Sequence, residues 1–341
     1  MNIRRFFEIF FTICGFPIGE DHGRSWAAII YRVVMISSVS VTYIWTRFLS
    51  KILAPTKTVV SVLDKLPLLS SITSYEINVI IAINIFHAFN LRKYSVRAVF
   101  RNGAVLDSLG AVDVLLSAAS VGLCLPQIFR NLPLVEELRY IAYGIINTLN
   151  HVMLLQYCAI LKYHTQDIRN QTKLLKTHKP TRNGDLSMIC VHNYFNSTSA
   201  LRVANELFSF RILVVFSGLV IDMAYLACYM IVRIISESIS PWVKVLWTNM
   251  VVTRFLYILH LAGCCDSLKT SSEDFFVTIF ALLRENELSV EDNRFRLLLV
   301  MNPKLQITAC GFFTYGYPLV VSIIAAISTY LTVLVQFSHK Y

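Results

Sequence analysis

The chain has 341 residues, of which 55% are hydrophobic and only 15% are charged. A soluble domain has about 25% charged residues, so a water-soluble core could not bury this much apolar surface and lipid must be the second solvent. The net charge of +10 would suggest nucleic acid in a soluble protein. Here the basic residues lie mostly in loops between apolar runs, which argues against nucleic acid and for membrane orientation.

The eight cysteines form no C-x-x-C pair, and most of them lie inside apolar runs. This pattern predicts neither a metal site nor a disulfide framework. We expect the thiols to act as small apolar residues at helix interfaces. No cofactor is expected.

Residues 1–25 are predicted to be a cytoplasmic segment that contains an amphipathic helix. Its apolar residues recur at helical spacing, at Ile3, Phe6, Phe7, Phe10 and Cys14. The alternative is a signal peptide, with Arg4 and Arg5 before the apolar stretch. Glu8 interrupts that stretch and no A-x-A site follows, so a helix lying on the membrane surface fits better.

Seven apolar runs are long enough to cross a bilayer, since about 20 residues rising ~1.5 Å each cover ~30 Å of hydrocarbon. Backbone groups in lipid must bond within their own segment, so the runs are predicted to be helices and the fold to be all-α. They are residues 26–48, 68–89, 109–129, 138–161, 207–232, 242–264 and 309–337. The second and third runs are weaker because they contain Glu76 and Asp113.

The distribution of Lys and Arg predicts a cytoplasmic N-terminus and an extracellular C-terminus, because basic residues are retained on the inner side. The segment between the fourth and fifth spans is rich in them, with Lys162, Arg169, Lys173, Lys176, Lys179, Arg182 and Arg202. The first outer loop runs against the rule, with Arg47, Lys51, Lys57 and Lys65. Two glycosylation sequons, at Asn170 and Asn196, would be reached by the glycosylation machinery only in the opposite orientation.

This topology divides the chain into spans and inner segments. Spans one to four occupy 26–161 and a cytoplasmic segment 162–206; spans five and six occupy 207–264 and a second cytoplasmic segment 265–308. The seventh helix and a short extracellular tail occupy 309–341. The fourth helix is predicted to continue past the membrane, and we expect the two inner segments to pack into one intracellular domain. The alternative is a pair of mobile loops.

The last span carries a line of small and polar residues. They are Gly311, Tyr315, Pro318, Ser322, Ala325, Thr329, Thr332 and Gln336. The steps alternate between four and three residues, so a helix would place them on one face. A helix in lipid keeps such a face only where it meets protein or water. The face is therefore either a helix–helix seam or the lining of an aqueous pathway.

The end of this span resembles the signature that closes insect gustatory receptors. Thr329-Tyr330 is followed by five apolar or β-branched residues and then by Gln336-Phe337. Residues 309–313 resemble the usual entry to the seventh helix of that family, and residues 156–170 the stretch where the fourth helix leaves the membrane. Cys264, near the inner end of the sixth span, also fits.

The resemblance implies a ligand-gated, non-selective cation channel built as a homo- or heterotetramer in the cell membrane. Its seventh helices would line the pore, and its inner helix extensions would form a shared anchor domain. Gln336 and Phe337 would lie near the outer gate, Thr329 and Thr332 would face the conduction path, and Ser322 and Ala325 continue that face. Tyr330 would support the helix against its neighbours, or act as an interfacial anchor.

Agonists of such receptors are small tastants, such as sugars or bitter compounds, and a pocket for them needs aromatic walls and a few polar groups. The outer halves of spans two, four, five and six offer Tyr75, Glu76, Asn78, Tyr143, Asn147, Asp222, Tyr225, Tyr229, Trp247 and Asn249. A carboxylate within a membrane is costly, so Glu76 and Asp222 are functional candidates. Each is alternatively a structural partner of Arg254 or of a tyrosine hydroxyl, or is neutral.

The main alternative function is a G-protein-coupled chemoreceptor. Against it, the third span ends without a D-R-Y-type triplet and the seventh lacks N-P-x-x-Y. A secondary transporter would need repeat symmetry or broken helices, and no convincing repeat is seen. An enzyme is not expected, because no nucleophile–base or metal constellation stands out.

Overall fold

The computed structural model describes residues 110–122, 134–177, 185–235, 241–284 and 305–338. The N-terminal amphipathic helix and the first and second spans predicted above lie outside the described residues. So do the ends of the predicted third span, of which residues 110–122 are described.

The described chain is almost entirely helical. It contains α1 (Ala111–Gly122), α2 (Leu134–Thr177), α3 (Asp185–Ile235), α4 (Pro241–Arg284), the two-residue strands β1 (Thr308–Ala309) and β2 (Phe313–Thr314), and α5 (Tyr317–Ser338). The predicted all-α class therefore needs one small correction, the hairpin of β1 and β2. Helices α1 to α5 correspond in order to the predicted third to seventh spans.

Three helices are much longer than a membrane is thick. Helices α2, α3 and α4 have 44, 51 and 44 residues, which at ~1.5 Å per residue is roughly 65–75 Å, against ~30 Å of hydrocarbon. The predicted boundaries at 161/162, 206/207 and 264/265 all fall inside these helices. The alternative of mobile loops is therefore wrong for residues 162–177, 185–206 and 265–284, which continue the helices.

Two stretches of the described residues are long and apolar enough to cross a membrane. They are Ile189–Ile221 within α3 and Thr248–Leu282 within α4, and α5 adds a shorter apolar stretch, Tyr317–Val333. The first two overlap the predicted fifth and sixth spans. They extend further along each helix on the side of the inner segments, because apolar side chains continue there into a packed core.

Helices α2 and α3 run antiparallel. Tyr157 Oη donates to Asn205 Oδ1 at 3.2 Å. Two turns further along α2, His164 Nδ1 and Ser197 Oγ lie 2.8 Å apart. As the residue number rises on α2 it falls on α3, as expected of consecutive membrane crossings.

Helices α2 and α4 run parallel. His151 stacks on Tyr257 with ring centroids 4.2 Å apart, and near the other end Arg169 Nη2 donates to Ser267 Oγ at 2.8 Å. Two parallel helices joined through an antiparallel one bring the C-terminal halves of α2 and α4 to the same end of the bundle. We call this the inner end.

The helix extensions at the inner end have their own apolar core. Ile168, Leu175, Tyr194, Phe275 and Ile279 are all buried there. Tyr194 stacks on Phe275 with centroids 4.3 Å apart, and its hydroxyl lies 2.7 Å from Ser272 Oγ. Burying such side chains is worth about 1.5–3 kcal/mol each, which accounts for the packing of these hydrophilic segments.

The seventh helix begins later than the sequence predicted. The predicted span starts at residue 309, but the helix begins at Tyr317, after the β1–β2 hairpin. Cys310 and Gly311 adopt φ of 50° and 78°, a left-handed turn that a right-handed helix cannot include. Pro318, which lacks an N–H, then sits in the first turn, where it is tolerated.

This start removes two residues from the predicted polar face. Gly311 lies in the hairpin turn, and Tyr315 precedes the helix and is 7% exposed. The stripe therefore runs from Pro318 to Gln336. The helix start is held from α4, because Tyr317 N donates to Asp266 Oδ2 at 2.9 Å.

Candidate functional site

The polar stripe of α5 is exposed in the single chain. Ser322, Ala325, Thr329, Thr332 and Gln336 all lie on the exposed side of the helix. Among the described residues, the stripe is therefore not sealed against the helices of its own subunit.

The opposite side of α5 attaches the helix to the bundle. Val320 and Ile323 are 4% and 8% exposed, and Leu319 and Ile327 pack against the same core. Because apolar residues supply this contact, the polar side is left for another surface.

The hydroxyls of the stripe are satisfied by their own helix. Ser322 Oγ donates to the carbonyl of Pro318 at 3.0 Å, Thr329 Oγ1 to that of Ala325 at 2.9 Å. Thr332 Oγ1 donates to Ser328 O at 2.9 Å in the same way. Each hydroxyl proton is used inside the helix, so each oxygen presents lone pairs outward, where it can accept from water or face a cation.

Large apolar residues flank the stripe and are also exposed. Val321 is 66% exposed, Ile324 44%, Val333 42% and Tyr330, of the signature pair, 39%. Such a surface on a lone chain indicates contact with lipid or with another subunit. The side chain of Phe337, the other end of the signature, lies outside the described residues.

The predicted ligand residues stay predictions. Tyr75, Glu76 and Asn78 lie outside the described chain. Tyr143, Asn147, Asp222, Tyr225, Tyr229 and Trp247 lie on helices whose backbone is described, but their side chains are not. Asn249 is exposed on α4. The directions of α2, α3 and α4 place every candidate residue on these three helices away from the inner end.

A buried ionic network lies where α1, α2 and α4 meet. Asp113 is fully buried, and its carboxylate accepts from Lys162 Nζ at 2.6 Å and from His260 Nε2 at 2.8 Å. The backbone N–H of Gly110 donates to it as well, at 2.8 Å. A buried carboxylate is costly without partners, and these three contacts together provide them.

In the sequence, Asp113 is notable only as a charged residue that weakens the predicted third span. The contact of Lys162 with Asp113 joins residues 49 positions apart in sequence, and that of His260 joins residues 147 apart. No local pattern indicates pairs so far apart. The one local signal was the i, i+4 spacing of His260 and Cys264, which places both on one helix face.

A cleft of about 600 Å³ opens beside this network. Its lining includes Lys162, Arg169, His260, Cys264, Ser267 and Tyr317. The cleft thus connects the extensions of α2 and α4 with the first residue of α5. The structure also brings the thiols of Cys158 and Cys264 close to the His260 ring, although the sequence had predicted no metal-ligating group.

Three of the described helices are about twice as long as a bilayer is thick, and the last helix leaves an apolar, hydroxyl-bearing surface uncovered, which is the architecture of a helical membrane protein. The family model described as 7tm Chemosensory receptor matches residues 20–341. The chain therefore belongs to the seven-transmembrane chemosensory receptor family. This confirms the predicted membership of the insect chemoreceptor superfamily.

Solved structures are similar as well. One is the insect olfactory receptor OR5 from Machilis hrabei, with 12% sequence identity and a TM-score of 0.65 over 98% of this chain and 97% of that one. At this identity the likeness is one of fold. No curated protein matches the chain in sequence.

Proposed function

We propose that the chain is a gustatory receptor that acts as a ligand-gated, non-selective cation channel. It would span the cell membrane seven times, with the N-terminus inside, and would act by gating rather than by catalysis. The observation that carries the proposal is the exposed polar stripe of α5.

The stripe supports a pore because of its solvent requirements. A line of hydroxyls and an amide has no reason to face lipid along a whole span. In the single chain the stripe residues Ser322, Ala325, Thr329, Thr332 and Gln336 are exposed, while the apolar side holds the helix on the bundle. The resemblance to gustatory receptors implies a tetramer, and four copies of the chain around an axis would make this stripe the lining of a pore.

The chemistry of the stripe favours weakly selective cation passage. Its oxygens have used their protons inside the helix and present lone pairs. The stripe contains no charged residue, so nothing on it would bind one ion strongly enough to exclude the others. Gln336 and Phe337 are proposed to lie at the outer gate.

The ligand is proposed to be a small tastant, a sugar, a bitter compound or another small molecule, bound away from the inner end. The candidates for that pocket are the residues of the predicted set on α2, α3 and α4 together with Tyr75, Glu76 and Asn78. The motif Thr329-Tyr330 with Gln336-Phe337 supports the gustatory assignment. The subunits would form a homo- or heterotetramer.

The first test is expression of the chain in cells, with whole-cell current recorded against a panel of tastants. A ligand-evoked cation current that persists when G proteins are blocked is the expected result. A response abolished by that block would instead identify a G-protein-coupled receptor.

The pore itself is tested by cysteine accessibility. Thr329→Cys and Thr332→Cys, in a background in which the exposed Cys310 is replaced by Ser, should lose most of their current on exposure to a water-soluble thiol reagent. Val320→Cys, on the buried side of the same helix, is the matched control and should keep its current. Equal insensitivity of all three variants would remove the stripe from the conduction path.

A further inference from the structure

We propose that Cys158, His260 and Cys264 form a binding site for a thiophilic divalent cation of the Zn²⁺ type near the midpoints of α2 and α4, where the inner end begins. One ligand atom from each residue lies within 4.8 Å of the other two. The proposal rests on this convergence and on the groups that surround it.

The fold brings the three residues together from two helices. His260 and Cys264 are one turn apart on α4, so they project from one face. Cys158 comes from α2, which runs parallel to α4. His151 and Tyr257, which stack on each other, each lie seven residues before Cys158 and Cys264 on their helices. The same register therefore places Cys158 opposite Cys264. The site is therefore built on two rigid helices.

The distances suit a tetrahedral ion after a small adjustment. Around Zn²⁺, with Zn–S of about 2.3 Å and Zn–N of about 2.0 Å, ligand atoms lie roughly 3.5–3.8 Å apart. The three ligand atoms here lie within 4.8 Å of one another. To reach the spacing around Zn²⁺, each side chain must move by about 1 Å or less, which a rotamer change can provide. Two thiolates and one imidazole leave the fourth position open.

Asp113 provides the second coordination shell. His260 Nε2 lies 2.8 Å from Asp113 Oδ1, and a metal-bound histidine usually gives its other ring nitrogen to a carboxylate in this way. With that contact kept, Nδ1 is the nitrogen that remains for a metal. The same carboxylate is held from its other oxygen by Lys162, so the orientation of the ring is fixed before an ion arrives.

The charges of the ligands, the ion and the neighbouring residues would cancel in this buried cluster. Cys158 and Cys264 are 1% and 6% exposed, so an uncompensated charge would be costly there. Two thiolates neutralise a divalent cation, and Asp113 and Lys162 neutralise each other. The occupied cluster is therefore neutral, with protons released from the two thiols on binding.

The cleft supplies a route from solvent, because His260 and Cys264 both line it, whereas Cys158 is buried and does not. Tyr317, the first residue of α5, lines the same cleft.

The test uses the purified, reduced, full-length chain in detergent micelles, first stripped of metal. Titration with Co²⁺ should give one equivalent per chain with a thiolate-to-cobalt charge-transfer absorption, and Zn²⁺ should displace it. Cys158→Ser and Cys264→Ser should each abolish the band or weaken Co²⁺ binding at least tenfold. Cys265→Ser is the matched control, because Cys265 is also buried but is not part of the cluster.

A second measurement needs no variant. Zn²⁺ should slow alkylation of Cys264 in the wild-type chain, measured by mass spectrometry, while alkylation of the exposed Cys310 stays unchanged. Absence of a charge-transfer band and of protection would overturn the proposal, as would a band that survives in both serine variants. These readouts need no ion current, so failure of the metal site and failure of the channel are separate outcomes.

Discussion

The stripe of α5 and the inner end of the bundle both carry hydroxyls that donate to a carbonyl of their own helix, but at the inner end other polar side chains also reach across to a second helix. On α5 the hydroxyl of Thr329 donates to a carbonyl of its own helix. At the inner end, Asp113, Arg169 and Tyr194 reach across to α2 or α4. Self-satisfied groups need no neighbour and can face a conduit, whereas cross-linking groups hold helices together.

The difference predicts how each region responds to mutation. Changes at the inner end should affect stability first, because they leave a partner on another helix unsatisfied. Changes on the stripe should affect permeation with little effect on stability.

The largest effect is expected for Asp113→Ala. It removes the counter-charge of Lys162 and the acceptor of His260 at once, and breaking a buried pair from one side costs about 3–5 kcal/mol. Thermal unfolding in detergent should show a clear fall in Tm or a failure to fold. Asp274→Ala, an exposed aspartate on α4, is the control and should unfold near the wild-type temperature. Equal behaviour of the two variants would contradict a cross-linking role for Asp113.

A smaller loss is expected for Tyr194→Phe. The ring keeps its stacking on Phe275 but loses the hydroxyl contact with Ser272, which is worth about 1 kcal/mol. Ser272→Ala should cost a similar amount, and the double variant should cost less than the sum of the two. Strict additivity in this double-mutant cycle would show that the two hydroxyls do not interact.

A still smaller change in stability is expected on the stripe. Thr329→Val keeps the shape and removes a hydroxyl that donates to a carbonyl of its own helix, so the free energy of unfolding should change by less than about 0.5 kcal/mol. Relative ion permeability should nevertheless change, because an oxygen is lost from the path. Gln336→Ala should likewise alter gating or permeation with normal surface expression. Unchanged currents in both variants would place this face outside the pore.

No modification at all is expected at the native sequons. Asn170 and Asn196 lie on α2 and α3, in the segments proposed to be cytoplasmic, so glycosidase treatment should not change the mobility of the chain on a gel. A sequon added after the last residue is the positive control and should be glycosylated. A mobility shift from the native sites would reverse the orientation and move the inner end outside.

Local pattern was sufficient where structure depends on one helix. The spacing from Ser322 to Gln336 predicted a single polar face on the last helix, and the continuation of the fourth helix past Lys162 was also predicted. The predicted start of the last helix was wrong by eight residues. The hairpin that precedes the helix depends on a left-handed turn at Cys310 and Gly311, which the apolar composition of this stretch does not indicate.

The amino-acid sequence by itself determined the membrane character, the periodic face of α5 and the family, because hydropathy, helical period and a short motif are properties of neighbouring residues. Only the tertiary structure decided that Asp113, Lys162 and His260 meet, and that Cys158 faces Cys264. These contacts depend on the register between α1, α2 and α4. That register is set by packing summed over whole helices, so no single segment of sequence encodes it.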